Sequence, residues 1–184
     1  IKETLTYRLG RKHDIIINAA HSGYRVGNLL AELDARCLRF QPDIVTINIG
    51  MNDACNGPDG IAAYQAKLRE LVGKIQAGTK ALVFLQTINT IDLPNASTRA
   101  SLAGYMAAAR AVGQELGLPL CDHYAAWEAL AKHAGTNPYY LMSDAIHPNE
   151  HGHRLMADTL LRFLGYGPLR GLEPSNGFVP PVAE

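Results

Sequence analysis

The sequence predicts an α/β fold in which a parallel sheet is covered by helices on both faces. Three observations indicate this class: short apolar runs recur along the 184 residues, apolar positions at helical spacing follow these runs, and Pro or Gly residues separate the two kinds of segment. Nearly continuous apolar runs are typical of strands buried on both faces, and alternating strands and helices are typical of parallel connections. We therefore expect a three-layer α/β/α domain.

The elements are predicted in order from these patterns. A first helix ends at Gly10, after the helically spaced Leu5 and Leu9. Strands are predicted at residues 15–20, 44–49, 81–86 and 119–122, and the later helices at residues 26–37, 61–75, 102–116, 123–134 and 150–164. An irregular stretch at residues 135–148 precedes the last helix. One domain is expected over residues 1–164, followed by a Gly- and Pro-rich tail at residues 165–184.

Composition excludes several classes of protein. Lys plus Arg total 17 and Asp plus Glu total 17, so there is no net charge and no basic stripe that would indicate a nucleic-acid partner. No apolar run approaches the ~18 residues that a membrane span requires. The three cysteines have no metal-binding or disulfide-scaffold spacing. No phosphate-binding or dinucleotide-binding glycine motif occurs, so no cofactor is expected. Cellular compartment and oligomeric state stay open.

Chemically capable side chains follow the predicted strands. Asn52 belongs to the run Gly-Met-Asn-Asp directly after the second strand, and Asp144 and His147 belong to the run Asp-Ala-Ile-His before the final helix. In a parallel sheet, ligands bind beyond the carboxyl ends of the strands. These side chains can therefore meet at one edge of the sheet.

These runs resemble a known family, the SGNH hydrolases, also called GDSL-type esterases and lipases. Residues 18–23, 50–53 and 144–153 are similar to three of the family's sequence blocks, in the family's order. The resemblance implies a flavodoxin-like sheet with strand order 2-1-3-4-5. It also implies that Gly23 and Asn52 donate hydrogen bonds to an oxyanion, and that Asp144 and His147 form a catalytic pair acting on a small-molecule ester.

The chemistry implied by the resemblance is that of an acyl-ester hydrolase, for example one that deacetylates a carbohydrate or another small acyl ester. The sequence leaves the substrate open between an acetylated sugar, a lipid and a thioester. His147 would be the general base for a serine hydroxyl, and Asp144 would accept a hydrogen bond from the imidazole and hold its tautomer. The backbone N–H of Gly23 and the amide of Asn52 would stabilise the oxyanion.

The Gly-Asp-Ser block that carries the nucleophile in this family is absent. None of the serines follows a strand in that context; they are Ser22, Ser97, Ser101, Ser143 and Ser175. Because the block closes the first strand of the family's fold, which is central in its sheet, we expect this chain to be a fragment whose upstream segment holds that strand and the serine. The chain alone is then expected to be inactive. The rival hypothesis is a non-catalytic SGNH-like binding module that has lost its nucleophile.

Other readings are weaker. Residues 147–151 fit the zinc-peptidase pattern His-x-x-Glu-His, but Pro148 pushes His147 out of the helix that carries His151. Cys55 could be a thiol nucleophile, although an incidental cysteine is the more common case. His21 lies beside Gly23 and could contact a substrate. The loops at residues 89–98 and 135–143 are expected to shape the substrate pocket.

Overall fold

The computed structural model describes residues 2, 4–132 and 138–166. A π-helical turn at Thr4–Arg8 ends before Gly10, whose φ of +68° only glycine adopts easily. The helices that follow are α1 (Val26–Ala31), α2 (Leu33–Arg36), α3 (Ile61–Gly78), α4 (Leu102–Glu115), α5 (His123–Lys132) and α6 (Glu150–Phe163). The strands are β1 (Ile44–Asn48), β2 (Leu82–Gln86) and β3 (Leu120–Cys121).

The three strands form one parallel sheet in the order β1-β2-β3, with Ile44 opposite Leu82 and Gln86 opposite Cys121. Helices α3 and α4 pack on one face, where Val83 and Leu85 of β2 enter the main core. On the other face, Phe84 packs against Leu160 of α6. The predicted α/β class with a parallel sheet is therefore confirmed.

The strand predicted at residues 15–20 is wrong. This segment has no regular secondary structure, and Ile15 is 89% exposed. An apolar, β-branched run becomes a strand only when a neighbouring strand accepts and donates its backbone hydrogen bonds. Within the described residues no strand pairs with this segment.

Strand β1 lies at the edge of the sheet that the described residues form. Its Ile47 is buried against the helices, but Ile44, Thr46 and Asn48 on its opposite face are exposed. Strands of parallel sheets are normally covered on both faces. Among the described residues, β1 therefore has both an unpaired backbone edge and an uncovered face.

One further element differs from the prediction. The helix predicted at residues 26–37 is split into α1 and α2 at Glu32, whose backbone leaves the helical region at φ −110° and ψ 13°. Residues 133–137 and 167–184, which include most of the predicted tail and part of the predicted irregular stretch, lie outside the described residues. The division into a domain and a tail stays a prediction. No helix in the described part of the chain is long and apolar enough to cross a bilayer.

His123 begins α5 and is buried, with only 1% of its surface exposed. Its Nε2 lies 2.8 Å from the Gln86 side-chain oxygen, and its Nδ1 has no hydrogen-bond partner among the residues that the structure describes. Burial lowers the pKa of His123 to about 4, so the folded protein holds this ring neutral.

This burial makes the protein sensitive to acid. The unfolded chain binds a proton at His123 near pH 6.5 and the folded protein only near pH 4, so folding stability falls as pH drops between those values. The expected loss at the lower limit is about 3 kcal/mol. We expect His123→Gln to flatten the dependence of the melting temperature on pH in that window. Equal slopes for variant and wild type would contradict the assignment.

Candidate active site

The chain turns sharply at Gly50, immediately after β1. Its φ is +133°, and a Cβ there would lie 2.8 Å from Cε of Met106 and 3.2 Å from Oη of Tyr64. The Tyr64 hydroxyl donates to the Ile49 carbonyl oxygen at 3.0 Å. A glycine is therefore required by both backbone angle and space, and this turn sets the direction in which Asn52 leaves the sheet.

Asn52 is held at both ends of its side-chain amide. Its Nδ2 donates to the carbonyl oxygen of Tyr24 at 3.2 Å, and its Oδ1 accepts from the Arg99 guanidinium at 3.3 Å. A primary amide has two N–H donors, so one remains available after the bond to Tyr24. The structure thus joins Asn52 to the segment that contains Gly23.

Asp53, the next residue, bonds to the start of α1, which follows the segment that contains Gly23. Its buried carboxylate accepts from the backbone N–H of Val26, at 3.1 Å and 3.3 Å to its two oxygens. Burial raises the pKa of Asp53, while the bond from Val26 opposes that rise. Asp53 thereby supplies an acceptor to the first turn of α1, and it ties the loop before α1 to the turn after β1.

Gly23 lies in the exposed loop before α1 with a φ of +79°. The backbone N–H of Tyr24 donates to the His21 carbonyl oxygen at 3.3 Å, which closes a tight turn around Gly23. The rings of His21 and Tyr24 stack with their centroids 4.3 Å apart. Gly23 is therefore exposed one residue before Tyr24, whose carbonyl oxygen accepts from the Asn52 amide and whose ring stacks on the exposed His21.

Asp144 and His147 form a compact hydrogen-bonded turn. Oδ2 of Asp144 lies 2.7 Å from Nδ1 of His147, and Oδ1 accepts from the backbone N–H groups of Ile146 and His147 at 2.8 Å each. The His147 side chain is 65% exposed. With Nδ1 engaged by the carboxylate, Nε2 is the ring nitrogen that can exchange a proton with a reacting group.

The two backbone N–H groups and the His147 ring lower the pKa of Asp144 to about 2. The carboxylate is therefore ionised throughout the pH range in which esterases are assayed. An ionised Asp144 accepts a hydrogen bond from the N–H at Nδ1 of His147. The neutral ring then carries its lone pair on Nε2.

The residues around this turn set its position relative to α6. Ser143 donates through its hydroxyl to the carbonyl oxygens of His147 and Pro148, at 3.1 Å and 3.3 Å. Asn149 caps α6 by accepting from the backbone N–H groups of His151 and Gly152, at 2.9 Å and 3.1 Å. The cap fixes the start of the helix at Glu150, three residues after His147.

The loop between β2 and α4 connects the two groups of candidate residues. Nδ2 of Asn89 donates to the Ile146 carbonyl oxygen at 3.0 Å, and the backbone N–H of Asp92 donates to the Ala145 carbonyl oxygen at 2.9 Å. At its other end the loop reaches Asn52 through Arg99. Within the described residues no hydrogen bond joins Asn52 directly to Asp144 or His147, so this loop relates the two groups.

The sequence patterns assigned no individual role to three residues of this arrangement, which are Asp53, Asn89 and Arg99. Asp53 lies in the run at residues 50–53 and Asn89 in the loop at residues 89–98. Asn89 carried a weak signal, because it follows a predicted strand at the end where ligands bind. Arg99 carried none, because its contact with Asn52 spans 47 positions of the chain.

The alternative readings also have a place in the structure. His147 precedes α6, as Pro148 predicted, while His151 lies in its first turn. No group of three His, Cys, Asp or Glu residues in the described part of the chain is arranged to hold a metal ion. Cys55 is an exposed free thiol. No serine hydroxyl among the described residues is hydrogen-bonded to the His147 ring.

Comparison with known proteins gives consistent results. A model of the GDSL-like lipase/acylhydrolase family matches residues 2–155. An acetylxylan esterase from Geobacillus stearothermophilus is 25% identical over 160 residues, which cover 82% of this chain and 72% of that protein. A crystal structure of that organism's acetylxylan esterase Axe2 matches with a TM-score of 0.69 and 26% identity over 82% of this chain and 72% of the other.

A second solved structure is more similar in overall shape. LAE5, an α/β hydrolase enzyme from the metagenome of Lake Arreo in Spain, matches with a TM-score of 0.76 and 27% identity over 89% of this chain and 78% of the other. Mutants of Axe2 described as catalytic replace a serine, an aspartate and a histidine, and the last two are three positions apart.

Proposed function

Because the chain belongs to the GDSL-like lipase/acylhydrolase family, we propose that it provides the acid–base and oxyanion half of a serine ester hydrolase. The hydrogen bond of 2.7 Å between Asp144 and His147 carries this proposal. Their spacing of three positions is also the spacing of the aspartate and histidine replaced in the catalytic mutants of Axe2.

The reaction begins with the nucleophile. Nε2 of His147 takes the proton of a serine hydroxyl as that oxygen attacks the ester carbonyl carbon, and Asp144 stabilises the resulting imidazolium. The carbonyl oxygen becomes an oxyanion, to which the Gly23 backbone N–H and the free N–H of Asn52 donate. His147 then returns the proton to the departing alcohol, which leaves an acyl-enzyme.

The second half restores the enzyme. A water molecule loses its proton to Nε2 of His147 as it attacks the acyl-enzyme, the same donors hold the new oxyanion, and the serine leaves with the proton. A carboxylic acid is released. The relatives point to acetyl esters of carbohydrates as the first substrates to test, since they include the acetylxylan esterase of Geobacillus stearothermophilus.

The proposal places the nucleophilic serine in a segment upstream of Ile1. Among the described residues, the free edge of β1, its exposed face and the exposed apolar side chains of Ile15 and Ile17 support this location. One additional strand between β1 and residues 15–20 would pair with both, and its carboxyl end would lie on the same side of the sheet as Asn52.

Hydrolysis of p-nitrophenyl acetate and acetate release from acetylated xylo-oligosaccharides, by the native protein with any residues that precede Ile1, test the function. We expect turnover that His147→Ala abolishes. Absence of turnover in both proteins, with the sugar still bound, would instead favour a binding module. Activity abolished by a chelator would indicate a metal-dependent hydrolase.

A further inference from the structure

We propose that Arg99 is a positioning residue that locks the amide of Asn52 in the orientation needed to donate to the oxyanion; this inference rests on the proposed function. Arg99 ends the turn Ser97–Arg99 in the loop between β2 and α4. It is half-buried, and in the part of the chain that the structure describes its hydrogen bonds go to Met51, Thr98 and Asn52, of which only Asn52 is a candidate site residue.

The Arg99 guanidinium binds both the backbone of Met51 and the side chain of Asn52. Its Nε donates to the Met51 carbonyl oxygen at 3.1 Å, and its Nη2 donates to Oδ1 of Asn52 at 3.3 Å. The planar arrangement of these donors is rigid, so the backbone just before Asn52 and the amide oxygen are fixed relative to each other.

The contact determines which end of the amide faces the site. In the observed orientation, Oδ1 accepts from Arg99 and Nδ2 donates to the Tyr24 carbonyl oxygen at 3.2 Å. A rotation of the amide by 180° would set its oxygen against the Tyr24 carbonyl oxygen and its NH₂ group against the guanidinium, which has only donors. Arg99 thus keeps the second N–H of Asn52 available for the substrate.

The positive charge on Arg99 has a second consequence for the same group. A charge-assisted hydrogen bond to Oδ1 withdraws electron density from the amide and makes its N–H groups stronger donors. The benefit appears only when negative charge develops on the substrate oxygen. Arg99 is therefore expected to affect kcat more than KM.

The test is a double-mutant cycle on the native active protein. Arg99→Ala is expected to lower kcat by about 10-fold to 100-fold with little change in KM. Asn52→Ala is expected to lose more, and Arg99→Ala added to Asn52→Ala is expected to lose nothing further, because Arg99 acts through the missing amide. Arg69→Ala is the matched control, because Arg69 is an exposed arginine of α3 that pairs with Glu115 at the end of α4. It should retain wild-type kinetics.

Two additional measurements separate positioning from folding. Arg99→Lys keeps the charge but not the fork of donors, and we expect it to lose kcat while its melting temperature stays close to wild type. Added guanidinium ion at concentrations below those that unfold the protein is expected to restore part of the kcat of Arg99→Ala and none of that of the double variant.

The possible outcomes separate the positioning role of Arg99 from the proposed function on which it rests. Additive losses in the double variant, or wild-type kcat in Arg99→Ala while Asn52→Ala is impaired, would overturn the positioning role and leave the proposed function intact. Wild-type kcat in Asn52→Ala would overturn both the oxyanion assignment and the role of Arg99.

Discussion

Asp144→Asn is expected to lower kcat/KM for an acetyl ester by about 10⁴-fold while the melting temperature stays near that of the wild type. The asparagine oxygen can still accept from the backbone N–H groups of Ile146 and His147, so the turn is preserved. The new NH₂ group, however, faces Nδ1 of His147, where the carboxylate oxygen lies 2.7 Å away. Nδ1 must then be an acceptor, and the neutral ring carries its proton on Nε2, where it cannot act as a base.

Steady-state kinetics and thermal melting of the same preparation check this expectation. Asp158→Asn is the matched control, because Asp158 is an exposed carboxylate of α6 that pairs with Arg162. It should keep full activity. Full activity in Asp144→Asn would show that the carboxylate does not select the histidine tautomer.

Asn52→Ala is expected to lower kcat by about 10²-fold to 10³-fold and to change KM little. The amide donates mainly to negative charge that exists in the transition state, so its loss affects the chemical step more than substrate binding. Asn52→Asp keeps the size of the side chain but replaces a donor by an anion, and it should lose at least as much. Kinetics over a range of substrate concentrations separate kcat from KM.

Gln114→Ala provides the comparison for this variant, since Gln114 is an exposed amide residue of α4 that lies outside the candidate site. It is expected to have wild-type kinetics. If Asn52→Ala raised KM with kcat unchanged, Asn52 would be a substrate-binding residue and not an oxyanion donor.

The parts of this site that the sequence predicted are local. Asp144 and His147 are three positions apart, and the backbone N–H groups that hold the carboxylate lie in the same turn, so one short run was enough for its resemblance to the family's block to indicate the pair. Asn52 was predicted because it directly follows a strand. The fold class followed from the apolar pattern of β1 and β2. Packing between α3 and α4 on one side and α6 on the other explains this pattern for β2.

The parts that were missed depend on distant partners. Residues 15–20 have the composition of a strand, but a strand also requires a neighbour, which no local pattern supplies. Arg99 and Asn89 reach their partners across 47 and 57 positions. The break between α1 and α2 at Glu32 interrupts apolar spacing that is otherwise helical, so periodicity alone could not place it.

The most direct test of the proposed mechanism is to find the nucleophile. The native protein, with any residues that precede Ile1, is treated with a fluorophosphonate, which modifies activated serines, and the modified peptide is identified by mass spectrometry. The mechanism predicts a single adduct on a serine upstream of Ile1, and no adduct in His147→Ala. An active protein that is left unmodified, or that is modified at Ser22, Ser97, Ser101, Ser143 or Ser175, would contradict it.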